Sequence, residues 1–96
     1  MTFVRDKPNF RTFDPELGWE LLWIDGIGKH FIYALQNDCG ERFEFSVDLV
    51  GIDSVLIEPR KSHAATLSET QKKALIEEAI SVETERPLSF EFRNFG

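Results

Sequence analysis

Residues 29–48 read KHFIYALQNDCGERFEFSVD. Two runs rich in aromatic and β-branched residues flank the turn cluster NDCG, which is the pattern of a β-hairpin. A three-residue loop of Asp38, Cys39 and Gly40 places Gly40 at the left-handed position that such a loop needs and that glycine takes without steric cost. The register follows. Phe43 falls opposite Leu35, Phe45 opposite Tyr33 and Val47 opposite Phe31, whereas a slip of one residue sends the large aromatics to opposite faces.

Outward from the hairpin, WELLWID (Trp19 to Asp25) is an apolar run of strand length without clean alternation, the expectation for a strand covered on both faces. DGIG then turns the chain into the hairpin. Before it, Pro8, Pro15 and Gly18 punctuate a segment that offers one short strand, over Thr2 to Arg5. Phe3, Phe10 and Phe13 are expected to close one edge of the core. After the hairpin, SVLIE (Ser54 to Glu58) reads as a strand that Pro59 stops. The basic loop of Arg60, Lys61 and His63 leads to a helix at Ser68, where Ser68 and Gln71 have capping-box spacing. Leu75, Ile76, Ala79 and Ile80 make one apolar stripe, and Glu69 with Lys73 an i,i+4 pair. The helix ends before Pro87. Leu88, Phe90 and Phe92 alternate along a last strand. The expectation is a single α+β domain over residues 1–96, an antiparallel meander of about five strands with one helix over about residues 68–84 on one face. Its other face is expected to be wet, with Arg42, Glu44, Ser46 and Asp48 outward.

With 96 residues, 42% hydrophobic and nine Phe, the chain has enough apolar material for one core. Seventeen acids against eleven bases give a formal charge of -6, which disfavours nucleic acid or anionic lipid and favours a basic partner. An acidic excess of this size also serves solubility, so charge alone does not decide between the two. Cys39 is the sole cysteine, which rules out an internal disulfide. MTFVRDKPNF lacks the apolar centre of a signal peptide and no segment has the ~18 apolar residues of a membrane span, so the chain reads as cytoplasmic.

Residues that carry chemistry are sparse. His30 and His63 have no second His or Cys at ligand spacing, so no metal or other cofactor is expected. Cys39 stands beside Asp38, which opposes thiolate formation. Ser62 beside His63 lacks the glycines of a nucleophile elbow. Gly26, Gly28 and Lys29 depart from phosphate-loop spacing and read as turn residues. Glu44 and Asp48 share a strand face, yet nothing in the sequence buries them as an acid and base pair would require. No catalytic residue is assigned, and the chain is not expected to be an enzyme. Glu77, Glu78, Glu83 and Glu85 lie in the second half of the helix, where the dipole favours cations.

Tyr33, Phe43 and Phe45, Pro59 before a loop, LSETQKKALIEEAI with Lys72, Leu75, Ile76 and Ile80, and then Phe90 and Phe92 together resemble small immunity proteins of bacterial polymorphic-toxin and contact-dependent growth inhibition systems, over roughly residues 29–93. The resemblance departs at Glu58 and Pro59, where a tryptophan is usual. It implies an inhibitor that binds a cognate protein toxin, often a nuclease, without catalysis. An acidic surface of Asp38, Glu41, Glu44, Asp48, Glu77 and Glu78 is the expected contact with a basic toxin. A phage or mobile-element inhibitor of a host nucleic-acid enzyme, and a small ligand-binding or enzymatic domain with Arg60 or His63 at a pocket mouth, are the alternatives. Oligomeric state stays open, because meander edges can pair.

Overall fold

The computed structural model describes residues 2–64 and 66–95. In chain order its elements are β1 (Val4–Asp6), β2 (Arg11–Phe13), β3 (Glu20–Ile27), β4 (His30–Gln36), β5 (Arg42–Leu49), β6 (Ser54–His63), α1 (Glu69–Thr84) and β7 (Ser89–Phe92). They form an α+β fold in which α1 packs on a mostly antiparallel seven-stranded sheet of order β1-β2-β3-β4-β5-β6-β7. The two strands beyond the expected five are β1, which overlaps the short strand read over Thr2 to Arg5, and β2; each is three residues long, too short to carry a periodic signal.

The β4–β5 hairpin has the expected register, with Leu35 opposite Phe43, Tyr33 opposite Phe45 and Phe31 opposite Val47. Its loop is closed by Asn37 and Glu41, and Gly40 has φ 84. Facing residues share a side of the sheet. The inner row of Leu35, Phe43, Phe45, Val47, Val55 and Ile57 is buried together with Leu75, Ile76, Ala79 and Ile80 of α1. Both halves of the capping box are present: Ser68 Oγ accepts from the Gln71 amide at 3.1 Å, and Gln71 Oε1 accepts from the Ser68 amide at 2.8 Å.

Several expectations are corrected. Pro59 does not end its strand, because β6 gains one residue relative to β5 there, with Phe45 opposite Pro59 and Phe43 opposite Ser62. Proline is tolerated at such a bulge, and Arg60, Lys61 and His63 consequently lie in a strand, not a loop. β7 is parallel to β6, since the helical connection returns the chain to the end from which β6 began. Glu69 pairs with Lys72 at 3.3 Å, while the Lys73 ammonium lies 5.8 Å from the centre of the Phe92 ring. Of the three N-terminal phenylalanines only Phe3 joins the core. Phe13 is half-buried under the Arg11 guanidinium, and Phe10 is 78% exposed.

β3 is not covered on both faces. A single helix shields one face, and the strand runs past it, so Trp23, Ile24 and Ile27 are exposed. Ile24 is the extra residue of a bulge between Trp23 and Asp25, and the turn into β4 shortens to Gly28 and Lys29, with Gly28 at φ 58. On the outer face Ser46 is buried despite having no helix above it. It lies between Ile32 and Glu58 on the flanking strands, and those larger side chains wall off a small one.

Candidate functional site

The six carboxylates expected at a partner surface fall in three places. Asp38 and Glu41 belong to the β4–β5 tip, where Asn37 Oδ1 accepts from the amides of Cys39 and Glu41, both at 3.0 Å. The adjoining loop is built by Asp14, whose Oδ1 accepts from the amides of Glu16 and Leu17 at 2.9 and 3.2 Å. Asp38 Oδ2 stands 2.7 Å from where a Cβ on Gly18 would sit, so the tip and this loop touch, and Glu16 and Asp38 are both exposed there.

Glu41 is tied back to the chain by the Thr66 hydroxyl and the Asn37 side-chain amide. These two hydrogen bonds to its ionised form, that from Thr66 being the stronger influence, hold its pKa below the ordinary carboxylate value. The group is therefore a latch between the hairpin tip and the loop leading into α1. Replacing Thr66 with alanine is expected to raise the Glu41 pKa in a carboxyl NMR titration. Because the folded value is the depressed one, the latch contributes above the unfolded-state pKa and is lost as pH falls through the folded value.

Glu44 and Asp48 lie on the outer face. Glu44 pairs with Arg42 at 3.2 Å, and Asp48 Oδ1 meets His30 Nδ1. Glu77 and Glu78 are on α1, on the other side of the sheet. Glu77 is exposed, and Glu78 is half-buried with Oε2 lacking a hydrogen-bond partner among the described residues. The sheet separates these two pairs, so the expected single acidic surface is divided. The reason is the pleat: Glu44 and Asp48 alternate with core residues that face α1, which forces them to the opposite side from the helix.

Charge is compensated unevenly. Among the described residues, seven of the seventeen carboxylates have a Lys or Arg within 4.0 Å and Asp48 has His30, which leaves nine with none of these partners. On the basic side only Lys29, Arg60, Lys61 and Lys73 lack an acidic partner. One ion pair is structural. Arg5 donates to Glu83 Oε1 at 2.9 Å and to Thr12 Oγ1 at 3.0 Å, while the Thr12 hydroxyl donates to Glu83 at 2.7 Å, which fastens the β1–β2 hairpin to the end of α1. The same cluster acts on Tyr33. Burial, then the Glu83 carboxylate, raise its pKa above the ordinary 10.0, against a smaller lowering by Arg5. Ionising the folded chain thus costs more than ionising the unfolded one, so stability is expected to fall as pH climbs through 10 and above. Tyr33 is the sole tyrosine, and an ultraviolet titration reads it directly. Its midpoint is expected above that of the denatured chain, and Tyr33→Phe is expected to remove this part of the alkaline loss.

Three open hollows border α1. One of about 300 Å³ is lined by Phe43, Pro59, Arg60, Ser62 and Lys72 among others, one of about 230 Å³ by Leu17, Trp19 and Leu67, and one of about 250 Å³ by Phe31, Tyr33, Ile80 and Arg86. None of the three gathers a histidine with a carboxylate. His30 lies opposite Asp48 and His63 opposite Arg42, at the two ends of β5 and about 20 Å apart at the rise of a strand. Among the described residues no three of His, Cys, Asp and Glu come together as metal ligands, and no helix is long and apolar enough to cross a membrane.

The residues that sequence reasoning placed in the core and the structure exposes are Trp23 and Ile24, while Ile27, read as part of a turn, lies at the exposed end of β3. The apolar character of Trp23 and Ile24 alone directs them inward, but one helix cannot cover both faces of a sheet this wide, and that count was the available signal. Searched against protein-family models, curated proteins and solved structures, the chain matches none.

Proposed function

We propose that this chain is a stoichiometric protein inhibitor of the immunity type, which binds a basic toxin and neutralises it by occupying its surface. The observation that carries this reading is the charge balance: nine carboxylates with no Lys, Arg or His partner against four Lys or Arg with no acidic partner, among the described residues. Carboxylates already paired within the chain offer little to a partner. Unpaired ones give long-range attraction to a basic protein and raise its association rate. Asp38, with Glu16 exposed on the loop that Asp38 touches at Gly18, is the part of the expected surface best suited to this work, while Glu44 and Asp48 are engaged by Arg42 and His30.

The test begins with affinity capture from the native host, or co-expression with the product of the adjacent gene. A basic toxin domain recovered in a one-to-one complex supports the reading. With that partner in hand, Glu16→Gln with Asp38→Asn is expected to weaken binding roughly 2- to 30-fold, the effect of two exposed charge contacts, and to flatten its salt dependence. Glu77→Gln on the helix reports whether that face also takes part. Capture of no protein, together with turnover of a small molecule, overturns the proposal.

A further inference from the structure

β2 pairs with β3 only at Glu20 and Leu21, yet β3 continues to Ile27. Among the described residues, Leu22–Ile27 is therefore paired with β4 on one side and with no strand on the other, which leaves a free sheet edge along six residues. Such an edge presents unpaired amide and carbonyl groups, and natural sheets usually blunt it with charge, proline, bulges or shortness. The other edges of this sheet are blunted. β1 and β7 are three and four residues long, and the stretch of β6 beyond the end of β7 carries Pro59, its bulge, Arg60 and Lys61. The β3 edge also has a bulge, at Ile24, and one charge, Asp25, but it runs six residues without a proline and exposes Trp23 at 60% and Ile27 at 81%.

We infer that this edge accepts a strand from a protein partner, and that the strand alternates apolar and basic side chains. The inference rests on the proposed function to the extent that the partner is a basic protein. Its geometry is that of strand addition, in which main-chain hydrogen bonds give affinity and alternate side chains give selectivity. On the inner side the incoming strand meets Trp23 beside Phe31, two rings that flank Gly26. On the outer side it meets Asp25, whose Oδ1 accepts only from the Gly26 amide and which has no cation within 4.0 Å among the described residues. A lysine or arginine completes that site. A second copy of this chain is the poorer occupant, because twofold pairing centred on the free stretch brings together two chains of charge -6 and lays Asp25 against Ile24 instead of a cation.

The experiment adds to the 15N-labelled full chain a capped peptide of alternating valine and lysine long enough to span Leu22–Ile27. Amide shifts and slowed hydrogen exchange are expected to concentrate on those residues. N-methylation of alternate peptide nitrogens, which removes its edge donors, is expected to raise the midpoint concentration about tenfold, as is exchange of lysine for glutamate. Ile27→Lys, at an exposed position, is expected to weaken binding without unfolding the chain, and Ile24→Pro to abolish it. Shifts confined to residues 14–18 and 37–41 and indifferent to N-methylation overturn the edge site while leaving a basic partner in place. Absence of binding, or a dimer whose Leu22–Ile27 amides are protected without peptide, also overturns the edge site, and capture of the native partner then judges the proposed function separately.

Discussion

Phe45→Ala is expected to destabilise the chain by about 3–5 kcal/mol, the range for a phenylalanine removed from a closed core. Phe45 is fully buried in the middle of β5, between Tyr33 on β4 and Pro59 on β6. Its ring centre lies 6.2 Å from that of Tyr33 and 6.1 Å from that of Phe43. Three hydrogen-bonded strands hold its surroundings from below and α1 covers them from above, so the vacated space has little means to collapse. Against a total of about 5–15 kcal/mol for a domain of ordinary stability, such a loss removes much of the margin. Urea unfolding measures it as a large drop in midpoint with an unchanged slope. Ile27→Ala is the control, because a side chain 81% exposed is expected to change stability by no more than about 0.5 kcal/mol. Similar losses for the two variants would mean that the sheet buries its other face.

The centre of the fold was legible because two independent signals coincide there. Gly40 needs a left-handed position, and the alternation of Phe43, Phe45 and Val47 needs one face, and both give the register found. The helix was legible for the same reason, since cap and apolar stripe agree. What misled was residue character detached from its surroundings. Pro59 signals a strand end only if the strand pairs regularly, and the bulge in β6 removes that condition. Trp23 and Ile24 signal a core only if something covers them. The orientation of β7 was not written in its own residues at all, since Phe90 and Phe92 alternate equally well in either direction and the connection through α1 decides it. Among the candidate site residues, position along a strand fixed the side of Glu44 and Asp48 correctly. Nothing in the sequence told which carboxylates would find cations, because Arg42 and His30 reach them through register and pleat.

Gly26→Ala is expected to cost about 1–2 kcal/mol and to disturb the free edge of β3. A Cβ at this position would stand 2.7 Å from Phe31 Cδ1 and 3.3 Å from Trp23 Nε1, too close without movement of at least one ring. The backbone here is not left-handed, so the penalty is steric alone. Crowding of this kind costs about 1–3 kcal/mol, and the lower entropy of the unfolded alanine chain offsets some ~0.5–1 kcal/mol of it. Gly28 supplies the contrast: an added Cβ meets nothing within 4 Å, but φ is +58, so its penalty is conformational. Asparagine tolerates that region better than alanine does. Gly28→Asn should therefore be milder than Gly28→Ala, whereas Gly26→Asn should be no milder than Gly26→Ala. Urea midpoints measure the costs. Tryptophan fluorescence follows the ring beside Gly26, which should respond to the Gly26 variants and not to those at Gly28. If Gly26→Ala instead stabilises the chain, the two rings have room to move, and a packed Trp23 and Phe31 surface at the edge is ruled out. Should the loss appear together with weakened peptide binding, while Gly28→Asn retains both stability and binding, then the close approach of Gly26 to these rings is what keeps the edge fit to receive a strand.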